Sequence, residues 1–280
     1  MPAAPDGLSV TRTALPSGGL LYFATDPADA VVGAEIRERG WWQGTETQLV
    51  FALVGPGDRA VDAGAHVGYF TVIMARCAGP LGRVDAFEPE PRNFEFLKAN
   101  CILNGASHVR PHRLALGVAA GQADLCLGGG NAGDHRLHPT PGRPSVRVGV
   151  TRLDNVLDGA RIDFLKIDTQ GGEAAILEGA EATIRASAAR LAVLLELSPR
   201  LSEAAGYGRD ALLDLLDRLK ARAFTATIPP RPLAPDDVAE MWDRLHATGV
   251  EEANAMLLLA FSRQAARRIT AIRWPAMPPA

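Results

Sequence analysis

The stretch Arg59-Ala-Val-Asp62-Ala-Gly64-Ala-His66-Val-Gly68-Tyr-Phe70 decides the fold. Ala60 and Val61 make a short apolar run, Gly64 and Gly68 supply backbone freedom and close approach, and residues 69–77 are apolar enough for a packed helix. Together they read as a buried strand breaking at a glycine turn into a helix, which presents bare amides and a helix N-terminus to a ligand. Charge narrows the choice of ligand. In a dinucleotide fingerprint the first glycine stands two residues before the second, beside the pyrophosphate. Here Asp62 holds that place, and its carboxylate would repel a pyrophosphate but attract a ligand carrying an ammonium and a sulfonium. S-adenosylmethionine (SAM) is such a ligand, and Asp62, Gly64, Ala65, His66 and Gly68 are expected to hold it.

A second strand over residues 84–88 ends on Glu88, at the start of a Pro89-Glu90-Pro91 turn. An acid placed there can accept both ribose hydroxyls, with Pro89 beside it. Taken singly, Asp62 also reads as a turn-forming Asx residue and Glu88 as a helix N-terminal charge. Their order and spacing together favour a nucleoside site.

The chain has 280 residues, 47% hydrophobic and 22% charged, which suits a soluble globular fold of one large domain with additions. A net charge of -3 leaves no electrostatic footprint for nucleic acid. Cys77, Cys101 and Cys126 lie far apart without metal-ligand spacing, so reduced thiols in a cytoplasmic protein are expected and no metal is. The first residues lack a basic segment followed by an apolar one, and no apolar run is long enough to span a bilayer; neither export nor membrane insertion is expected.

Residues 1–57 precede the ligand strand and read as a cap laid against the main sheet. Ser17-Gly-Gly19 marks a turn between two short strands, Asp26-Pro27 caps a helix running to Arg39 and ended by Gly40, and Thr45 with Gln48 forms a capping box for a helix through Leu53. From residue 58 to 262 strands alternate with helices, which predicts a mostly parallel sheet covered on both faces. Residues 109–116 are the third strand, so Ala115 and Leu116 fall at a strand's carboxyl end, where they would flank an adenine. Residues 122–127 and 145–150 read as an antiparallel pair. The long glycine-rich loop joining them carries Asp134, His135 and Arg136 and is expected to be a mobile substrate lid, a solvated hairpin tip being the alternative. Asp154 reads as an N-cap.

Residues 162–173 form a strong strand ending in polar residues and glycines. Lys166 and Asp168 are two apart and share a strand face, so mutual charge pairing is expected of them; Asp168 also falls at the carboxyl end of the fourth strand, where such sheets place their sites. Gln170, Glu173 and Glu196 join Asp134 and Arg136 as expected acceptor contacts, although Glu173 equally suits a helix N-terminus. The last two strands are read at 224–228 and 256–261, with Pro229-Pro-Arg-Pro and a helix around Trp242 as a second rim. Residues 263–280 form a basic tail, a peripheral helix followed by a loose end.

These residues resemble a known family. The runs Val-Asp-Ala-Gly-Ala-His-Val-Gly-Tyr-Phe, Ala-Phe-Glu-Pro-Glu-Pro-Arg-Asn-Phe, Leu-Ala-Leu-Gly, Asn-Ala-Gly-Asp-His-Arg-Leu and above all Lys166-Ile-Asp-Thr-Gln-Gly-Gly-Glu173 are similar to the FkbM-type methyltransferases over about residues 20 to 262. His66 stands where the family's turn more often has asparagine. The resemblance implies a class I methyltransferase fold, a seven-stranded α/β sheet whose last strand is antiparallel, with SAM as cofactor and a small-molecule acceptor. It further implies transfer to a hydroxyl oxygen on a sugar or secondary metabolite; nitrogen in a peptide or amine is the runner-up. An alcohol needs a base as it attacks, and Asp168 and His135 are the candidates. A nicotinamide dehydrogenase is disfavoured by Asp62. A non-catalytic nucleoside-binding module is the other alternative, disfavoured by the presence of all three acids, Asp62, Glu88 and Asp168.

Overall fold

The computed structural model describes residues 9–15 and 19–272. The chain begins with an antiparallel pair, β1 (Ser9–Ala14) and β2 (Leu20–Thr25), followed by helices α1 (Val32–Arg39) and α2 (Gly44–Leu53). Of the turn expected between the strands, Ser17 and Gly18 lie outside the described residues. Helix α1 starts later than Asp26: the Asp29 carboxylate accepts from Gly33 N at 2.7 Å, while Asp26 only closes a short turn by accepting from Ala28 N. Gly40 ends the helix in the left-handed region, as expected. The expected Thr45/Gln48 capping box does not form, because α2 already begins at Gly44, behind a left-handed Gln43, and Thr47 rather than Thr45 donates its hydroxyl to Trp42 O.

Strands and helices then alternate: β3 (Arg59–Ala63), α3 (Tyr69–Ala78), β4 (Arg83–Phe87), α4 (Pro91–Leu103) and β5 (Val109–His112). The expected third strand breaks after His112, where the chain leaves the main sheet. There β6 (Ala115–Leu116) pairs with β8 (Ser145–Thr151), which also pairs antiparallel with β7 (Gly121–Cys126) in a separate three-stranded sheet. The remainder runs α5 (Leu153–Leu157), β9 (Phe164–Ile167), α6 (Glu173–Gly179), α7 (Glu181–Ser187), β10 (Ala192–Leu197), α8 (Pro199–Ala204), α9 (Arg209–Arg218), β11 (Arg222–Thr225), β12 (Pro232–Leu233), α10 (Pro235–Ala247), β13 (Ala255–Ala260) and α11 (Arg263–Thr270). Asp154 lies inside α5 and caps a different helix, accepting from Ala182 N and Thr183 N at the start of α7.

The main sheet has the order β12-β11-β13-β10-β9-β3-β4-β5, with β13 antiparallel to both its neighbours. It has eight strands rather than seven. The extra one, β12, is a two-residue edge strand containing Pro232, and an edge is where a residue without an N–H is tolerated. From β3 the chain moves outward to β4 and β5, and β9 and β10 lie on the other side. Strand order therefore reverses between β3 and β9, and the crevice beyond their carboxyl ends is the place for a ligand in an open α/β sheet.

Two apolar layers cover the sheet's faces. The cap contributes Phe23, Ile36, Leu49 and Val50 to the layer that holds Ile73 and Met74 of α3, so it rests on helices α3 and α4 rather than on the sheet. Asn100 of α4 fastens it: its amide donates to Ala24 O and Val67 O and accepts from Ala24 N. Helix α11 is also part of this layer, burying Ala265 and Ile269, and Arg268 pairs with Asp58 at 2.8 Å; the loose end expected after it falls on residues 273–280, outside the described set. Among the described residues no helix is long and apolar enough to cross a membrane.

Candidate active site

The turn after β3 is held by its neighbours. Gly64 N and Ala65 N both donate to Phe87 O, at 3.1 and 2.9 Å. Gly64 has φ +83, and a Cβ there would run into the Asp168 carbonyl oxygen and lie 3.0 Å from its carbon; only glycine fits. Gly68, at φ +86, lies against α4: a Cβ there would stand 2.6 Å from Leu97 Cδ1 and 3.3 Å from Leu97 Cα. His66 adopts the left-handed region without being glycine, at φ 51, and its N–H donates to Glu88 Oε2 at 2.8 Å. Glu90 N donates to the other oxygen of Glu88 at 2.9 Å. One carboxylate thus pins two turns and keeps a free lone pair on each oxygen.

Beyond these turns lies a cleft. Gly64, His66, Glu88, Pro89, Ala115, Leu116, Asp168 and Gln170 line it, as do Phe87, Leu114, Leu125 and His135. A second lobe adjoins it, walled by Trp42, Gln43, Phe70, Lys166, Glu196, Glu252 and Asn254. Ala65 faces this second lobe. Gly64, His66, Gly133, Asp168 and Gln170 line both, so the lobes meet along that seam.

Asp62 and Gly68 line neither lobe, which corrects the expectation of direct cofactor contact for both. Asp62 is fully buried at the end of β3: Thr71 donates its hydroxyl to Oδ2 at 2.6 Å and Oδ1 is buried without a partner among the described residues. Burial pushes its pKa up to about 6, against the pull of the Lys166 ammonium.

Lys166 and Asp168 pair, as expected, at 2.8 Å. Burial works against the Lys166 ammonium, but Asp168, Asp62 and Glu196 outweigh it and raise its pKa; the ammonium also sits 4.6 Å from the centre of the Phe70 ring. Gln170, at φ 57, donates to Glu196 Oε2 at 3.1 Å and to Asp168 Oδ1 at 3.4 Å. Burial and the neighbouring carboxylates of Asp168 and Glu173 hold Glu196 well above the usual range.

Glu173, Asp134 and Arg136 do not reach either lobe, contrary to expectation. The Glu173 carboxylate is taken up by Thr169 N, Thr169 Oγ1 and Gly171 N, and so shapes the turn that carries Asp168 and Gln170. Arg136 is wholly buried in an ion-pair knot with Asp134 at 2.7 Å, Glu251 at 2.8 Å and Glu252 at 3.4 Å, and Arg143 adds a second pair to Asp134 at 2.6 Å. The Pro229–Pro232 segment and Trp242 also stand away from both lobes; Glu252 and Asn254, after α10, are the rim residues instead.

His135 lines only the first lobe, and its Nδ1 accepts from Gly128 N at 2.9 Å. A backbone N–H can only donate, so the neutral imidazole carries its proton on Nε2. Burial lowers its pKa and keeps it neutral. His135 is therefore a hydrogen-bond donor to the cleft, not a proton acceptor.

The knot gives the glycine-rich loop a fixed base. Cys126 and Arg136 exchange both backbone hydrogen bonds, at 2.8 and 2.9 Å, and Ala30 N and the Asn93 amide bind the loop carbonyls of Gly130 and Ala132. A fully mobile lid over 128–143 is not the expected behaviour of such a loop. The Arg136 amide should exchange slowly with and without ligands, whereas Gly129, whose surroundings are open, should exchange fast. Uniformly fast exchange across 128–143 in the free protein, measured by NMR, would show the knot to be absent in solution.

Sheet order, glycine turn and cleft define a class I methyltransferase fold. The family model described as Methyltransferase FkbM domain matches residues 62–247, and the chain belongs to that family. Methyltransferase sdnD of Sordaria araneosa is 31% identical over 155 residues, covering 43% of this chain and 60% of that protein. Methyltransferase 1 of Beauveria bassiana is 30% identical over 142 residues, covering 42% and 57%. The chain thus matches less than two thirds of the length of these relatives. Among solved structures, cofactor-bound Rv0187 from MTB has a TM-score of 0.44 at 16% identity, over 85% of this chain and 90% of that one. The O-methyltransferase TomG from Streptomyces achromogenes has a TM-score of 0.40 at 16% identity with the same coverage.

SAM is the cofactor of this family, and the cleft fits it. Glu88 keeps a lone pair on each oxygen that a hydroxyl donor could use, and apolar Phe87, Leu116 and Leu125 line the same cleft. Glu88→Ala is expected to weaken SAM binding by about 1–3 kcal/mol through the loss of charge-assisted hydrogen bonds; unchanged affinity by calorimetry would remove Glu88 from the site. Burial pushes the free Glu88 carboxyl up to about 8. Ribose hydroxyls that donate to it favour the ionised form. SAM binding near neutral pH should then release a proton and strengthen as pH rises toward that value, which calorimetry in buffers of different ionisation enthalpy would read.

Proposed function

We propose that this chain is a SAM-dependent methyltransferase that methylates a hydroxyl oxygen of a sugar or secondary metabolite. The observation that carries this reading is the seam: a cofactor in the first lobe and an acceptor in the second would meet at Asp168 and Gln170. Bound SAM supplies a methyl group already activated on a sulfonium, so the protein's task is alignment and exclusion of water. Glu88 holds the ribose, and Ala115 and Leu116 flank the adenine. Phe70 and Trp42 keep part of the acceptor wall apolar. Lys166 fixes Asp168 through Oδ2, and Oδ1, with one long hydrogen bond from Gln170, is the atom that orients the acceptor hydroxyl and receives its proton. The location is cytoplasmic, where the free thiols Cys77, Cys101 and Cys126 stay reduced.

Transfer to nitrogen is the second reading, since the same carboxylates could hold an amine. Incubation with tritium-labelled SAM and fractionated small-molecule extracts, followed by mass spectrometry of labelled products, tests both. A labelled methyl ether is the expected product, and an N-methyl product would replace the first reading with the second. SAM bound without transfer to any fraction would favour a non-catalytic module, and binding of NAD in place of SAM would overturn the proposal.

A further inference from the structure

The second lobe has a one-sided polar lining, and resting on the methyltransferase reading above, we propose that its acceptor is a donor-rich molecule without anionic groups, a polyol bearing an ammonium, and that Gln43 reads it. Among the described residues lining the lobe, Lys166 is the one cationic side chain, and it is held by Asp168. His66 lies there too, neutral because burial holds its pKa well below the usual range. Glu196, Asp168 and Glu252 line this lobe; Asp168 and Glu252 are already paired, with Lys166 and Arg136, and the Glu196 carboxyl accepts from the Gln170 amide. A phosphate or carboxylate on the acceptor would find no unpaired cation among the described lining residues to receive it. An ammonium or a hydroxyl would find acceptors.

Gln43 adds an independent sign. It is not glycine, yet it holds φ 44 and ψ 72 ahead of α2, and its side chain does not cap the helix. Its Oε1 is buried without a hydrogen-bond partner among the described residues, and Gln43 lines the lobe with Trp42. Strain at a residue whose side chain does nothing for the fold marks a functional position. An unpartnered amide oxygen needs a donor, and the acceptor is the group that can bring one. Gln43 is thus a specificity-determining residue, with Glu196 as a carboxyl whose ionised form an approaching ammonium would favour.

Three matched probes test this with tritium-labelled SAM: the methyl glycosides of glucosamine, glucose and glucuronic acid. The amino glycoside should be methylated with kcat/KM about 10-fold above the neutral one, the effect of one charge-assisted hydrogen bond, and the glucuronide should not react. Gln43→Gly removes the amide and relieves the left-handed strain. Its melting temperature should stay the same or rise, SAM affinity should hold, and KM for the amino glycoside should rise about 10-fold with little change in kcat. Equal or better transfer to the glucuronide overturns the proposal, as does no transfer to any probe by protein that binds SAM. A lower melting temperature for Gln43→Gly with unchanged KM gives Gln43 a structural role and overturns its assignment. Failure to bind SAM at all removes the methyltransferase reading instead.

Discussion

Gly64→Ala is expected to lose about 2–5 kcal/mol of stability and all measurable SAM affinity, the first from left-handed strain plus overpacking. At φ +83 the new Cβ would press into the Asp168 carbonyl. That carbonyl cannot retreat cheaply: Asp168 N donates to Ala63 O at 3.1 Å, continuing the β3–β9 pairing, and Gly64 N is itself bound to Phe87 O. Relief therefore means parting the two strand ends between which the cleft opens. Gly129→Ala is the control, because nothing lies near its added Cβ, and it should stay within about 0.5 kcal/mol of the parent. Urea midpoints for both variants, with SAM calorimetry, check this; a Gly64→Ala protein of normal midpoint and normal affinity would show that the turn does not hold the cofactor.

How much of this was legible in the sequence depends on the range of the interactions. The strand, turn and helix of residues 59–78, the paired acids Asp62 and Glu88, and Lys166 facing Asp168 follow from local pattern, because period and turn chemistry act over a few residues. The errors arise where a distant partner decides. Arg136 looked like a substrate contact in a polar loop, but Glu251 and Glu252, more than a hundred residues on, bury it. Asp154 stands where it could cap its own helix and instead caps α7. The strand read through residue 116 breaks because β6 finds a better partner in β8. Trp42, Gln43, Glu252 and Asn254 went unread as site residues. A Trp-Trp-Gln-Gly run before a helix gives one local hint, a non-glycine residue at a place suited to a left-handed turn, which only the backbone conformation makes visible.

Asp168→Asn is expected to lower turnover about 10²- to 10⁴-fold, the usual contribution of a positioned proton acceptor, while SAM affinity stays near that of the parent. The stability cost separates this from a structural role. A buried lysine deprived of its only counter-charge would cost about 3–5 kcal/mol. Lys166, however, also feels Asp62 and Glu196 and sits over the Phe70 ring, so loss of the Asp168 charge should cost no more than one charge-assisted hydrogen bond, about 1.5–3 kcal/mol. His135 offers no substitute base, since its Nδ1 accepts from Gly128 N and its other nitrogen bears the proton. Single-turnover rates on the folded fraction, taken with a labelled acceptor from the extract screen, decide the matter. A variant that melts early yet transfers methyl at the parental rate would confine Asp168 to holding Lys166 and remove it as the proton acceptor.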